Sequence, residues 1–238
     1  VSDAAFGEPH VHLESTDSTN DRCRALAEEG SPSGTIVTAD EQSAGRGRHG
    51  RRWSAPPGAA LLFSGLLRPL DLRHLMLPLA VPVAVCEAIE SLAEVECRIK
   101  WPNDIWIGER KAAGILIEAR PPEWAVIGVG INLSVADDEF PSDLRWPATS
   151  VGHGIGTEAM LQALCPALDE WVVAPEARVR DEFEARDALH GREISWSGAG
   201  EGSGVAAGID ARGNLVVELS DGTEKALGSG EVSLRLAT

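Results

Sequence analysis

Residues 98–133, RIKWPNDIWIGERKAAGILIEARPPEWAVIGVGINL, carry the densest strand signal in the chain. Apolar residues alternate through Arg98–Ile107, Arg110–Glu118 and Trp124–Leu133, and Gly108-Glu109 marks a turn between the first two runs. Three adjacent antiparallel strands are expected, forming the middle of a sheet. On the N-terminal side, Thr35–Ala39 and Ala60–Leu67 read as further strands. A helix is expected from a cap at Ser18 or Thr19 to about Glu29, with Cys23, Leu26 and Ala27 on one face and Gly30 as its stop. His74–Ala93 reads as a mostly buried helix with Pro78 near its first turn. On the C-terminal side, Thr157 to about Leu189 is helical, with Leu161, Leu164, Leu168, Trp171 and Val172 at helical spacing and a break near Pro175. Helix, strands and helix in this order point to an α+β fold, a mixed or antiparallel sheet with flanking helices.

The texture changes at Gly191. Short runs follow at Glu193–Trp196, Gly204–Ile209, Leu215–Leu219, Glu224–Leu227 and Val232–Leu236, with hairpin signals at residues 210–213 and 220–222. They suggest a small SH3-like β-barrel over residues 191–238, beside a main domain of residues 1–190.

The formal net charge is -16, from 37 acidic and 21 basic residues. Such a surface repels a phosphate backbone, which argues against a dedicated nucleic-acid binder. Cys23, Cys86, Cys97 and Cys165 lie too far apart in sequence for a metal-ligand pair or a compact disulfide ladder, so reduced thiols and a cytoplasmic location are expected. No signal pattern opens the chain, and the apolar stretch Leu75–Val85, interrupted by Pro78 and Pro82, reads as too short to span a bilayer.

Against this acidic background, Ala44–Trp53 places Arg46, Arg48, Arg51 and Arg52 among three glycines with no acid. Guanidinium forks grip carboxylate or phosphate oxygens, glycines let backbone approach a ligand, and Trp53 offers a flat ring. On its own the decamer fits either a small-anion loop or a solvated, RNA-binding one.

Asp17-Ser18-Thr19-Asn20 lies upstream, and downstream come residues 100–106 (KWPNDIW), 110–118 (RKAAGILIE) and 128–133 (GVGINL). Together, in this order, these motifs resemble the biotin protein ligases, or biotin-[acetyl-CoA-carboxylase] ligases. The likeness runs from about Ser15 to Leu133, and residues 230–235 (GEVSLR) resemble the family's closing strand. It implies a class II synthetase-like core and a two-step reaction. Biotin and ATP, carried with Mg2+, give biotinyl-5′-AMP and pyrophosphate, and a lysine of a biotin carboxyl carrier protein then takes the biotin. Only 14 residues precede Ser15, so the resemblance implies the monofunctional type without an N-terminal DNA-binding domain.

The resemblance also assigns residues. Ser18, Thr19, Asn20, Gln42, Gly45, Arg46, Gly114, Ile115 and Gly130 correspond to the biotin pocket, with Arg48 and Lys111 at the carboxylate. Arg51, Trp53, Lys100, Asn103 and Asn132 correspond to nucleotide contacts, Trp53 on the adenine side, and Arg48 and Lys111 serve there too. Lys111, Arg48 and Asp104 are the catalytic candidates, Asp104 orienting or deprotonating the carrier lysine. No protein metal-ligand set is implied. His49 and Arg52 are expected to face solvent, Trp101 and Trp106 to be core or pocket wall, and the glycine-rich loop to have little intrinsic order. Two alternatives stay open: a lipoate or octanoate ligase or transferase of the same superfamily, and an RNA-binding or adaptor protein.

Overall fold

The computed structural model describes residues 5–142, 144, 146–197, 200–228 and 231–234, and of the last four only the side chain of Val232. Gly230 and Arg235, two residues of the expected closing strand, lie outside the described residues.

The main sheet contains β1 (His10–Thr16), β2 (Ile36–Gln42), β3 (Ala60–Leu67), β4 (Cys97–Lys100), β5 (Asp104–Ile107), β6 (Arg110–Arg120) and β7 (Trp124–Asn132). Its order is β1-β2-β3-β7-β6-β5-β4, parallel between β1 and β2 and antiparallel elsewhere. Two expectations need correction. The leader contains a strand, β1, whose largely exposed residues gave little apolar alternation to read. The run Arg98–Ile107 is two strands, because Pro102, without an N–H, and Asn103 turn the chain back and leave β4 at the sheet edge.

Helices α1 (Thr19–Glu28), α2 (Leu77–Leu92), α3 (Thr157–Trp171) and α4 (Glu176–Ala185) complete the unit. The helix expected from His74 starts at Leu77, after a 3-10 turn over Leu72–Met76 that Asp71 and His74 cap reciprocally. The combined helical span Leu72–Leu92 is 21 residues long and apolar enough, by length and composition, to cross a membrane, so the stretch is longer than the sequence suggested. It is a core helix, with 67% of its most apolar window buried inside the protein. Pro175 is the N-cap of α4, where the long helical tract breaks, and that tract ends at Ala185.

Strand alternation divides the sheet into two faces. Leu61, Phe63, Ile115, Ile127, Val129 and Ile131 point to the side where α2, α3 and α4 build the main core. The other face presents Leu62, Ser64 and Leu66 on β3, paired across to Gly130, Gly128 and Val126 on β7. Helix α1 covers one end of that face, packing Cys23 and Ala27 on Leu66 and Val126. The remainder, floored by glycines, is left for a cavity.

At the C-terminus, β8 (Glu193–Ser197), β9 (Gly202–Ile209), β10 (Leu215–Glu218), β11 (Glu224–Leu227) and β12 (Glu231–Leu234) form an antiparallel sheet in the order β11-β10-β9-β8-β12. Ile194, Trp196, Ala206, Leu215 and Val217 join the main core cluster. The indole of Trp101 donates to Gly213 O at 3.1 Å, tying the β4–β5 turn to the β9–β10 hairpin.

Candidate active site

A cavity of about 740 Å³ lies on the free face of the sheet. Its floor follows from the strand register. Asp104 pairs with Gly114, and Gly114 with Gly130, so the three share one face. Lys111 would point to the opposite face by simple alternation. A bulge corrects this: Ile105 pairs with Ala113 and Trp106 with Lys111, which leaves Ala112 as the extra residue and turns Lys111 to the cavity. Lys111 Nζ then meets Asp104 Oδ1 at 2.6 Å, a largely buried ion pair.

The loop Ala44–Trp53 folds back on itself. Gly47 N–H donates to Arg51 O at 2.8 Å and Trp53 N–H to Gly45 O at 2.9 Å, making a small hairpin with His49 in left-handed conformation at its tip (φ 56°). It brings Arg48, Arg51 and Trp53 over the floor. Arg48 Nη1 donates to Asn103 Oδ1 at 3.4 Å. Burial pulls the Arg48 pKa below its ordinary value; nearby Asp104 opposes the shift and Arg51 adds to it. Lys111 Nζ lies 5.5 Å from the Trp53 ring centre.

The opposite end of the cavity is neutral and polar. Ser18 is the N-cap of α1 by backbone, yet its side chain makes no capping bond and lines the cavity. Thr19 donates from its backbone N–H to Gln42 Oε1 at 2.7 Å. Asn20 lies against Gly128, where even one added carbon would fall 2.1 Å from its Oδ1.

Every expected site residue except Gly45 lines this cavity, including Lys100, Asn103, Asn132 and Ile115. Gly45 is buried beneath it, where an added carbon would meet Trp53 O at 2.5 Å and Gln42 Nε2 at 2.7 Å, so its smallness packs the loop onto its base. Ile115 turns its side chain into the core, and its backbone N–H and C=O both bond Asn103, which fixes the turn after Pro102. Asn132 donates to Thr149 O at 3.1 Å. Arg46 borders the cavity but pairs outside it, with Asp21 at 2.7 Å and Glu118 at 3.0 Å. Trp53, expected beside adenine, covers the glycine floor: a carbon on Gly130 would lie 2.5 Å from its indole and one on Gly114 3.0 Å. Its Nε1 is buried with no hydrogen-bond partner among the described residues. His49 and Arg52 are exposed and also border the mouth. Trp101 and Trp106 are buried off the cavity.

Sequence reading missed part of the wall. Phe140, Pro141, Leu144 and Trp146, on the connection between β7 and α3, close one end with Val232 of β12. Lys100 Nζ stands 5.5 Å from the Trp146 ring and 6.0 Å from Trp106. The available signal was three large apolar residues, Phe140, Leu144 and Trp146, scattered through the polar stretch after Val135. Ser64, fully buried behind the neutral end, looked like one more strand residue. Among the described residues, no group of three or more His, Cys, Asp or Glu could hold a metal ion.

A cavity neutral and hydrogen-bonding at one end, cationic at the other, and roofed by an arginine hairpin is suited to a ligand with a polar head and an anionic tail. Comparison with known proteins agrees. Residues 12–132 match the biotin/lipoate A/B protein ligase family and residues 190–235 the biotin protein ligase C-terminal domain. The chain belongs to this biotin/lipoate protein ligase family. It is 36% identical over 225 residues to a biotin-[acetyl-CoA-carboxylase] ligase of Paracoccus denitrificans, covering 86% of this chain and 92% of that one. It is 32% identical over 243 residues to the bifunctional ligase/repressor BirA of Bacillus subtilis, covering 92% of this chain and 72% of the relative. The structure of the Aquifex aeolicus biotin protein ligase in complex with biotin and ATP superposes with a TM-score of 0.80 at 30% identity, over 97% of this chain and all of that one.

Proposed function

We infer that the protein is a biotin protein ligase, which joins biotin to ATP as biotinyl-5′-AMP and transfers the biotin to a lysine of a carboxyl carrier domain. One observation carries the reading. A single sheet face holds the Lys111–Asp104 pair, Arg48 and the neutral Thr19–Gln42 end around one cavity, which suits a molecule with a polar, uncharged head and a carboxylate tail.

In the first step a carboxylate oxygen attacks the α-phosphorus of ATP, and pyrophosphate leaves as the bond to the β-phosphate oxygen breaks. Two anions must meet, so the ammonium of Lys111 and the guanidinium of Arg48 offset the charge that builds there. Asp104 holds the ammonium in place through the 2.6 Å contact. Mg2+ carried by ATP would offset the charge on the departing pyrophosphate. Lys100, Trp146 and Arg51 form the nucleotide end, and the loop shields the mixed anhydride from water. In the second step the carrier amine attacks the acyl carbon and AMP leaves. Asp104, the carboxylate that lines the cavity beside Lys111, is the group we assign to take up or orient the amine proton. We place the catalytic unit at residues 1–190 and the C-terminal unit at 191–238, supported by the change in texture and by β8 starting at Glu193. Four free, buried cysteines suit the cytoplasm, where ATP and the carrier are found.

The test supplies Mg-ATP with biotin or lipoate and follows pyrophosphate release and labelling of an added carrier domain. Biotin-dependent release and labelling are expected. Lipoate-dependent activity in their place would reassign the substrate.

A further inference from the structure

Behind the neutral end of the cavity, a chain of polar side chains runs from the floor to the arginine loop. Two of its members, Ser64 and Glu118, do not line the cavity at all. Proton counting gives the chain a direction. Asn20 donates both amide hydrogens, to Leu116 O at 3.3 Å and to Glu118 Oε2 at 2.9 Å. Its Oδ1 therefore faces Ser64 Oγ, 2.7 Å away, as an acceptor and takes the one proton of that hydroxyl. The Ser64 oxygen has only lone pairs left for Thr19 Oγ1 at 2.8 Å, so the Thr19 proton bridges that contact. Gln42 Oε1, 3.0 Å from Thr19 Oγ1, accepts from the Thr19 backbone N–H and has a second lone pair that competes with the closer Ser64 oxygen for the Thr19 proton. With that proton held inside, Thr19 turns only lone pairs to the cavity it borders, which suits a ligand N–H.

The chain ends on a carboxylate that has a second task. Glu118 Oε1 lies 3.0 Å from Arg46 Nη2 and 3.5 Å from Arg24 Nη1, and Arg46 also reaches Asp21. One side chain both terminates the floor relay and fastens the loop. Three of the chain's members are nearly sealed from water, with Ser64 0%, Thr19 4% and Asn20 4% exposed, which makes a misdirected proton costly.

We propose that Ser64 and Glu118 are positioning residues that fix which way the Thr19 hydroxyl points and couple that choice to the Arg46 latch of the loop. The proposal rests on the reading of the cavity as a biotin pocket. It is tested by calorimetric titration of biotin, without nucleotide, into the full chain and its variants. Ser64→Ala and Glu118→Ala are each expected to weaken binding about tenfold, and the double variant also about tenfold in place of about a hundredfold, because both cut one chain. Ser64→Ala also frees the Thr19 proton, so the preference for biotin over biotin methylated on its ring nitrogens narrows. Glu118→Gln keeps an acceptor for Asn20 but drops the charge facing Arg46. It is expected to recover most of the lost affinity while releasing preformed adenylate faster than the wild type. Independent losses in the double variant, an unchanged preference in Ser64→Ala, or a Glu118→Gln as weak as Glu118→Ala would overturn the relay alone. A wild-type chain that fails to bind biotin would overturn the biotin reading with it.

Discussion

At the residue scale, the site depends on a few side chains whose surroundings leave them little choice. Lys111 is held by Asp104 and stands over Trp53, and it is partly open to the cavity rather than packed in the core. Lys111→Ala is expected to lower the rate of pyrophosphate release by about two to three orders of magnitude, the usual cost of removing a charge-stabilising group, with thermal midpoint nearly unchanged. Full activity would show that another cation meets the α-phosphate. Gly128→Ala is a contrasting case, in which the new methyl group meets the Asn20 carboxamide head-on. Overpacking of this kind costs about 1–3 kcal/mol, and a weaker biotin affinity from calorimetry, with ATP affinity preserved, is the expected signature.

At the scale of elements, irregularities aim the chemistry. The bulge at Ala112 turns Lys111 to the site, and the break at Pro102 ends β4 so that Asn103 and Asp104 enter the cavity. Neither was legible in the alternation of Arg98–Glu118, since a bulge arises from pairing with a partner strand and the partner is not written beside it. The cap ahead of α2 has a pH consequence. His74 is neutral there: it accepts from the Asp71 N–H through Nδ1, and burial lowers its pKa, against the pull of Asp71. The unfolded chain binds the proton more readily, so this contribution is complete above about pH 6.5 and is lost as the pH falls below it. His10 is lowered too, first by burial and then by His12, and adds to the same slope. The fall in thermal midpoint between about pH 7 and pH 5 should be shallower in His74→Asn than in the wild type. An identical slope would remove His74 from the account.

At the scale of the molecule, the small sheet is part of the core. Trp101 donates its indole N–H to Gly213 O from a buried position next to the turn that carries Asn103 and Asp104. Trp101→Phe keeps most of the packing and removes the donor. A loss of about 1–2 kcal/mol in denaturant unfolding is expected, together with faster amide exchange in the β9–β10 hairpin. An unchanged exchange pattern would show that the hairpin docks without this bond.

The sequence by itself determined the main elements, the motifs and a set of expected site residues of which all but Gly45 border the cavity. Those features are local: periodicity, turn chemistry and residue types grouped in short motifs. Gly114 and Gly130, expected opposite one another, pair across β6 and β7 beneath Trp53. Only the tertiary structure decided what each of these residues does with its hydrogen bonds. Arg46 turned outward to Asp21 and Glu118, Ile115 gave its peptide to Asn103, Gly45 went beneath the loop, and Trp146 arrived from a distant connection. The reason is physical. A side chain's reach and chemistry belong to the residue, but its partner is chosen by register, bulge and burial, which are set among strands far apart in the chain.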